Sequence, residues 1–193
     1  MKKLMSLILA LMMLVIVTAG CTRNGSADTT GTKAEVPASA LEVLTTIWAK
    51  HTDNEKFPIY GGDPENMVTD APGSYGLQDT ESLSVQLLVP ADEAKNLTEA
   101  AALFHGMMSN NFSCGVFRVA QGVSASAFAE KMHNAVKNAR WICGMPEKAL
   151  IAVVGGEYVV MTFGLKDVIN TFQTRLTEAY PDAEIKYSVD ITG

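Results

Sequence analysis

Cys21 closes the stretch Val17-Thr18-Ala19-Gly20-Cys21, and it is the residue with the clearest chemistry in the chain. A positive pair, Lys2 and Lys3, opens the sequence, and Leu4 to Val17 follows with only Ser6 interrupting its apolar character. An apolar run of this length falls short of the roughly 18–20 residues a membrane-spanning helix needs, and it ends in small residues, as a secretory signal does. Thr18-Ala19-Gly20-Cys21 resembles the bacterial lipobox, with Thr18 where an aliphatic residue is usual. That resemblance implies a diacylglyceryl group on the Cys21 thiol, cleavage before it, and acylation of the new amine. An ordinary secretory signal cut nearby, leaving a free thiol, is the alternative. Two or three acyl chains, at ~0.8 kcal/mol per buried methylene, hold a protein stably at a membrane where one does not.

The other two cysteines, Cys114 and Cys143, form an even pair for an oxidising compartment. Cys114 begins a strand, and Cys143 follows a helix that returns along it, so the two ends approach each other. A disulfide would close a loop of about thirty residues and contribute ~3 kcal/mol by the chain-entropy argument. Two separate buried thiols are the alternative, and the absence of C-x-x-C argues against redox or zinc chemistry.

Enzyme chemistry finds little to work with. His51, His105 and His133 are scattered, with no H-E-x-x-H. His105-Gly106-Met107-Met108 is a thin set for a soft metal, and no metal is expected. No serine lies in a G-x-S-x-G elbow, and Gly155-Gly156 precedes a β-rich run where a phosphate loop would precede a helix. The expectation is a non-enzymatic binding or assembly module, with no cofactor beyond the lipid on Cys21. One segment keeps a small-ligand receptor or enzyme in play: Phe57 to Asp79 is long and rich in Gly, Pro and aromatic residues, with Tyr60 and Tyr75 as candidate ligand-binding side chains.

These residues need a scaffold. Residues 1–20 are expected to be the signal, 21–37 a flexible tether, and 38–193 one globular domain. Thr22 to Val36 is Gly, Ser, Thr and charge, too polar to bury itself, with a reach of roughly 20–25 Å. Ser39 and Glu42 form a capping box before the stripe Leu41, Leu44, Ile47, Trp48. Ser82 to Pro90 is expected as a strand, Asp92 to Met108 as a helix, and Gly115 to Ala120 as a strand. Val123 and Phe128 staple a helix start at Ser124. Ala149 to Gly164 reads as a hairpin turning at Gly155-Gly156. Val168, Ile169, Phe172 and Leu176 follow at helical spacing, and Glu184 to Ile191 alternates as a half-buried strand. The expected class is α+β: about five mainly antiparallel strands with helices on one face.

The net charge is −6, and removal of residues 1–20 would take away two lysines and no acid, leaving −8. Such a chain has no basic footprint for nucleic acid, and any membrane attachment must come from lipid. The partners expected are the membrane, through the anchor, and a protein or small molecule outside the cytoplasm.

Tyr75-Gly76-Leu77, Gly115-Val116-Phe117-Arg118-Val119 and Glu157-Tyr158-Val159-Val160 resemble a family of uncharacterised lipoproteins of Gram-positive, gut-type bacteria, over roughly residues 65–180. The resemblance implies a lipobox, a polar tether and a single domain of unknown function, and it supplies no catalytic residue.

Overall fold

The computed structural model describes residues 36–142 and 144–191. The signal, Cys21 and most of the expected tether lie outside the described residues, as does Cys143.

Among the described residues an eight-stranded antiparallel sheet forms the centre, with four α-helices around it. In chain order the elements are α1 (Ala40–Ala49), β1 (Ile59–Gly61), β2 (Val68–Thr69), β3 (Gly73–Ser74), α2 (Thr80–Leu87), β4 (Leu97–His105), β5 (Phe112–Val119), α3 (Ala125–Asn138), β6 (Lys148–Val154), β7 (Tyr158–Gly164), α4 (Lys166–Ala179) and β8 (Glu184–Asp190). The strand order is β2-β1-β4-β5-β7-β6-β8, with β3 pairing onto β4.

Helices cover both faces of the sheet, not one. Even-numbered β4 residues Ala100, Ala102 and Phe104 share a core with α2 and α3, whereas Ala101 and Leu103 pack towards α1 and α4. The same alternation divides β5, where Phe117 faces α3 while Cys114 and Val116 face α1 and α4. A sheet sandwiched in this way needs strands apolar on both sides, and β6 and β7 are buried almost throughout. On α3, Phe128, Met132 and Val136 each contribute roughly 1.5–3 kcal/mol by leaving water.

Two expected elements change type. Ser82 to Pro90 belongs largely to α2, started by Asp79, whose carboxylate accepts from the Ser82 amide at 2.9 Å. The expected helix over Asp92–Met108 is instead a short 3₁₀ turn followed by β4. Its alanines fit a strand buried on both faces, where small side chains let the helices come close. The irregular segment after Thr52 adds the three short strands β1–β3, and with β4 in place of the strand expected over Ser82–Pro90 the total rises from five to eight.

Other expectations hold. The Ser39 hydroxyl accepts from the Glu42 amide, and Glu42 returns to the Ala38 amide at 2.8 Å. Ser124 caps α3 with Val123 and Phe128 packed in the core beneath it. The hairpin turns where expected, with Gly155 and Gly156 at φ +60° and +78°. β8 is half-buried, but it carries a bulge: Tyr187 opposes Ile151 and Ile185 opposes Ala152, leaving Lys186 extra. The bulge sends Ile185 to the α4 side and Tyr187, Val189 and Ile191 to the α3 side.

Candidate binding face at one end of the sheet

β6 rises about 20 Å from Lys148 to the hairpin turn, so the sheet has two well-separated ends. The hairpin end receives the N-terminal chain. The Tyr158 hydroxyl donates to the Pro37 carbonyl at 2.7 Å, and a β-carbon on Gly155 would lie 3.4 Å from Val36. Arg118 secures the same end. Its guanidinium donates to Glu157 at 2.8 Å and to Glu99 at 3.0 Å, and it lies 5.4 Å over the Tyr158 ring. Glu99 also accepts from the Ala40 amide at the start of α1. Arg118 and Tyr158, from two of the motifs read in the sequence, are opposed across β5 and β7. Their charges and dipoles are spent on each other and on the backbone of the incoming chain. The cluster forms a clasp on the incoming chain.

The other end is built differently. The turn after β4 and the segment after α3 meet there, joined by the Asn110 side-chain amide, which donates to the Ile142 carbonyl at 2.9 Å and the Gly144 carbonyl at 2.7 Å. Ile142 is 77 % exposed and Met107 81 %, with Met108 and Met145 also exposed beside them. Next to them a cleft of about 510 Å³ runs between the C-terminal half of α3 and the end of β8. Val136, Ala139, Trp141, Met145, Val189 and Ile191 give it apolar walls. Its floor is braced by two ring contacts: His133 stacks on Tyr187 with centroids 4.0 Å apart, and Trp141 packs on Phe163 at 4.9 Å. Lys137 lies on its rim, and Asp190, also on the rim, is paired with Lys166 at 3.0 Å.

The tyrosines singled out in the sequence do not converge on a cleft. Tyr75 is buried, its hydroxyl donates to Gln86 at 3.2 Å, and burial pushes it up to about 12. Tyr60 stacks on Phe104 with centroids 5.1 Å apart, and burial raises it too. Tyr75 lines an open cleft with Ser39, Gln78 and Glu99, and Tyr60 is not among its walls. Both rings serve chiefly to pack β1 and β3 onto the sheet.

Cys114 has no disulfide partner among the described residues; it is fully buried on the α1 and α4 side, and that burial raises its thiol far above the ordinary range. Its expected partner, Cys143, is outside the described residues, although the Asn110 bonds do bring the Ser109–Ser113 and Ile142–Pro146 segments together. His105 does not present a free ring nitrogen pair to a metal: its Nδ1 accepts from the Met107 amide at 3.1 Å, and its ring stacks on Phe57. No group of three or more His, Cys, Asp or Glu among the described residues is arranged to hold a metal ion. No described helix is long and apolar enough to cross a membrane.

The sequence reading missed the cleft. Its signal was there in Trp141-Ile142 and Met145, large apolar residues after a completed amphipathic helix and before the next strand. Comparison with protein-family models, curated proteins and solved structures finds no match to this chain.

Proposed function

We propose that this chain is a lipid-anchored extracytoplasmic binding module, non-enzymatic, attached through Cys21 and engaging its partner with the end of the sheet formed by Met107, Met108, Ile142, Met145 and the adjoining cleft. The observation that carries this reading is the separation of the two ends. The chain leading from Cys21 joins the domain at Pro37, clasped by Tyr158, while four exposed large apolar residues, Met107, Met108, Ile142 and Met145, lie at the opposite end of the strands. Lipid at Cys21 and a 15-residue polar tether would thus hold the domain by its hairpin end and leave the apolar end free to meet a partner. Exposed apolar surface of this kind is costly to keep on a monomer unless it is used.

A clickable fatty-acid analogue fed to cells tests the attachment. Wild-type chain is expected to incorporate it and to sediment with membranes, whereas Cys21→Ser incorporates none. Equal labelling of both, or no labelling of either, contradicts the anchor. The alternative of a small-ligand or catalytic site in residues 57–79 finds less support, since Tyr60 and Tyr75 are engaged in packing and that segment forms sheet edge.

A further inference from the structure

We propose that the α3–β8 cleft, with the Met107–Ile142 surface beside it, accepts a protein segment that presents a short apolar stripe flanked by carboxylates. This rests on the binding-module reading and names the chemistry of its partner. Three features lead to it. The cleft has apolar walls that include Trp141 and Met145, and Ile142, Met107 and Met108 expose further apolar side chains at the same end of the sheet. Methionine-rich surfaces adapt to side chains of varied shape, as grooves for amphipathic helices do.

The charge around it has the opposite sign to that of the chain as a whole. Lys137 lines the cleft and Arg140 is exposed between two of its wall residues, Ala139 and Trp141; neither makes an ion pair among the described residues, whereas the acid in the cleft, Asp190, is already held by Lys166. In a chain of net charge −6, two uncommitted cations bordering its exposed apolar surface are complementary to an acidic partner.

The same charges disfavour a second copy of this chain as the occupant. A two-fold contact through this face would bring Lys137 and Arg140 towards their own images. A free-edge pairing through β8 is obstructed by the Lys186 bulge and by Glu184 and Asp190 near its ends.

The probes are two fluorescein-labelled 15-residue helical peptides with identical leucine stripes, one carrying glutamates and the other lysines on the remaining positions. They are titrated against the full chain, in zwitterionic nanodiscs where it carries lipid, with empty nanodiscs subtracted. Binding is read by fluorescence polarisation and by the emission of half-exposed Trp141, with Trp141→Phe identifying its share against buried Trp48. The expected result is at least tenfold tighter binding of the acidic peptide, a blue shift lost in Trp141→Phe, and a tenfold or greater loss of affinity in Lys137→Glu/Arg140→Glu. That double variant changes two exposed side chains and is expected to melt within a degree of the parent. Equal binding of the two peptides, no binding of the acidic one, or unchanged affinity in the folded double variant overturns the proposal. So does a concentration-dependent dimer dispersed by Ile142→Ser, which would assign the face to a second copy. Fatty-acid labelling at Cys21 is read separately: labelled chain that ignores the acidic peptide refutes only the partner chemistry, and unlabelled chain that binds it refutes only the anchor.

Discussion

The Tyr158 hydroxyl donates a 2.7 Å hydrogen bond to the carbonyl oxygen of Pro37, tying the start of the domain to a strand 121 residues later. Tyr158 is fully buried and also lies under the Arg118 guanidinium, so one ring joins the incoming chain to the ion-paired cluster at the hairpin end. Tyr158→Phe keeps the ring and removes the donor, leaving the carbonyl without that partner. The expected cost is ~1 kcal/mol, or about 3 °C in Tm for a domain of this size. Limited proteolysis is expected to cut near Val36 sooner than in wild type. Unchanged melting together with unchanged cleavage would remove the clasp from the account.

Gly61 and Gly156 are expected to respond very differently to alanine. A β-carbon on Gly61 would fall inside contact distance of the Gly73 amide nitrogen, and backbone atoms of Ala71 and Pro72 crowd the same space. Gly156 faces open space and is costly only through its φ of +78°. Thermal melts are expected to show a loss of about 1 kcal/mol for Gly156→Ala. Gly61→Ala should lose well over twice that, because β1 must shift away from β3. Similar melting of the two variants would contradict the close approach of β1 to β3 at Gly61.

Acid should weaken the domain in two steps. Burial lowers the His51 pKa below its ordinary 6.5, with its ring packed against Trp48 and Phe172. The unfolded chain therefore binds the extra proton first, and stability falls as pH drops below about 6.5. Glu55 is held to about 2 by its hydrogen bonds to Arg175. Its contribution is complete above about 4.5 and is lost as pH falls towards 2. Denaturant midpoints across pH 2–8 check this: His51→Phe should flatten the upper step, and Glu55→Gln should reduce the lower one, to which Asp63, Asp79 and Glu93, also held below their ordinary values by hydrogen bonds, contribute. A profile with no slope between pH 7 and 5 would contradict the buried neutral His51.

Cys114 should be inert in the folded protein. Its sulfur is buried among side chains from α1 and α4, and burial keeps it in the thiol form. With protein held reduced, a bulky thiol reagent is expected to modify Cys114 only after denaturation, as peptide mapping would show. Rapid labelling at Cys114 under native conditions would contradict its placement.

The parts legible in the sequence were those where local chemistry and burial agree. Ser39 with Glu42, Ser124 with Phe128, and the paired glycines each carry a local reason for their conformation that tertiary packing reinforces. The parts misread were those where packing overrides a local pattern. Leu97, Ala101, Phe104 and Met108 recur at helical spacing, yet Ala100–Leu103 are buried on both sides as a central strand. Ser82–Val89 alternates like a strand, but the Asp79 cap and the burial of Leu83 and Leu87 make it a helix. The bulge at Lys186 is invisible in an alternating run, and a two-residue strand such as β2 leaves almost no periodicity to read. The cleft escaped because its walls come from α3, the segment after it, and β8, some fifty residues apart. Tyr60 and Tyr75 stood out by composition alone, which does not separate a packed ring from a binding one.

Photocrosslinking in intact cells asks whether the domain is held at one end and binds with the other. A benzophenone amino acid would be placed at Ile142, in the apolar end, or at exposed Gln121, in the loop near the hairpin end. A discrete protein adduct is expected from Ile142, lost in the Lys137→Glu/Arg140→Glu background, and none from Gln121. An adduct from Gln121 alone, or no adduct from Ile142, would contradict that arrangement.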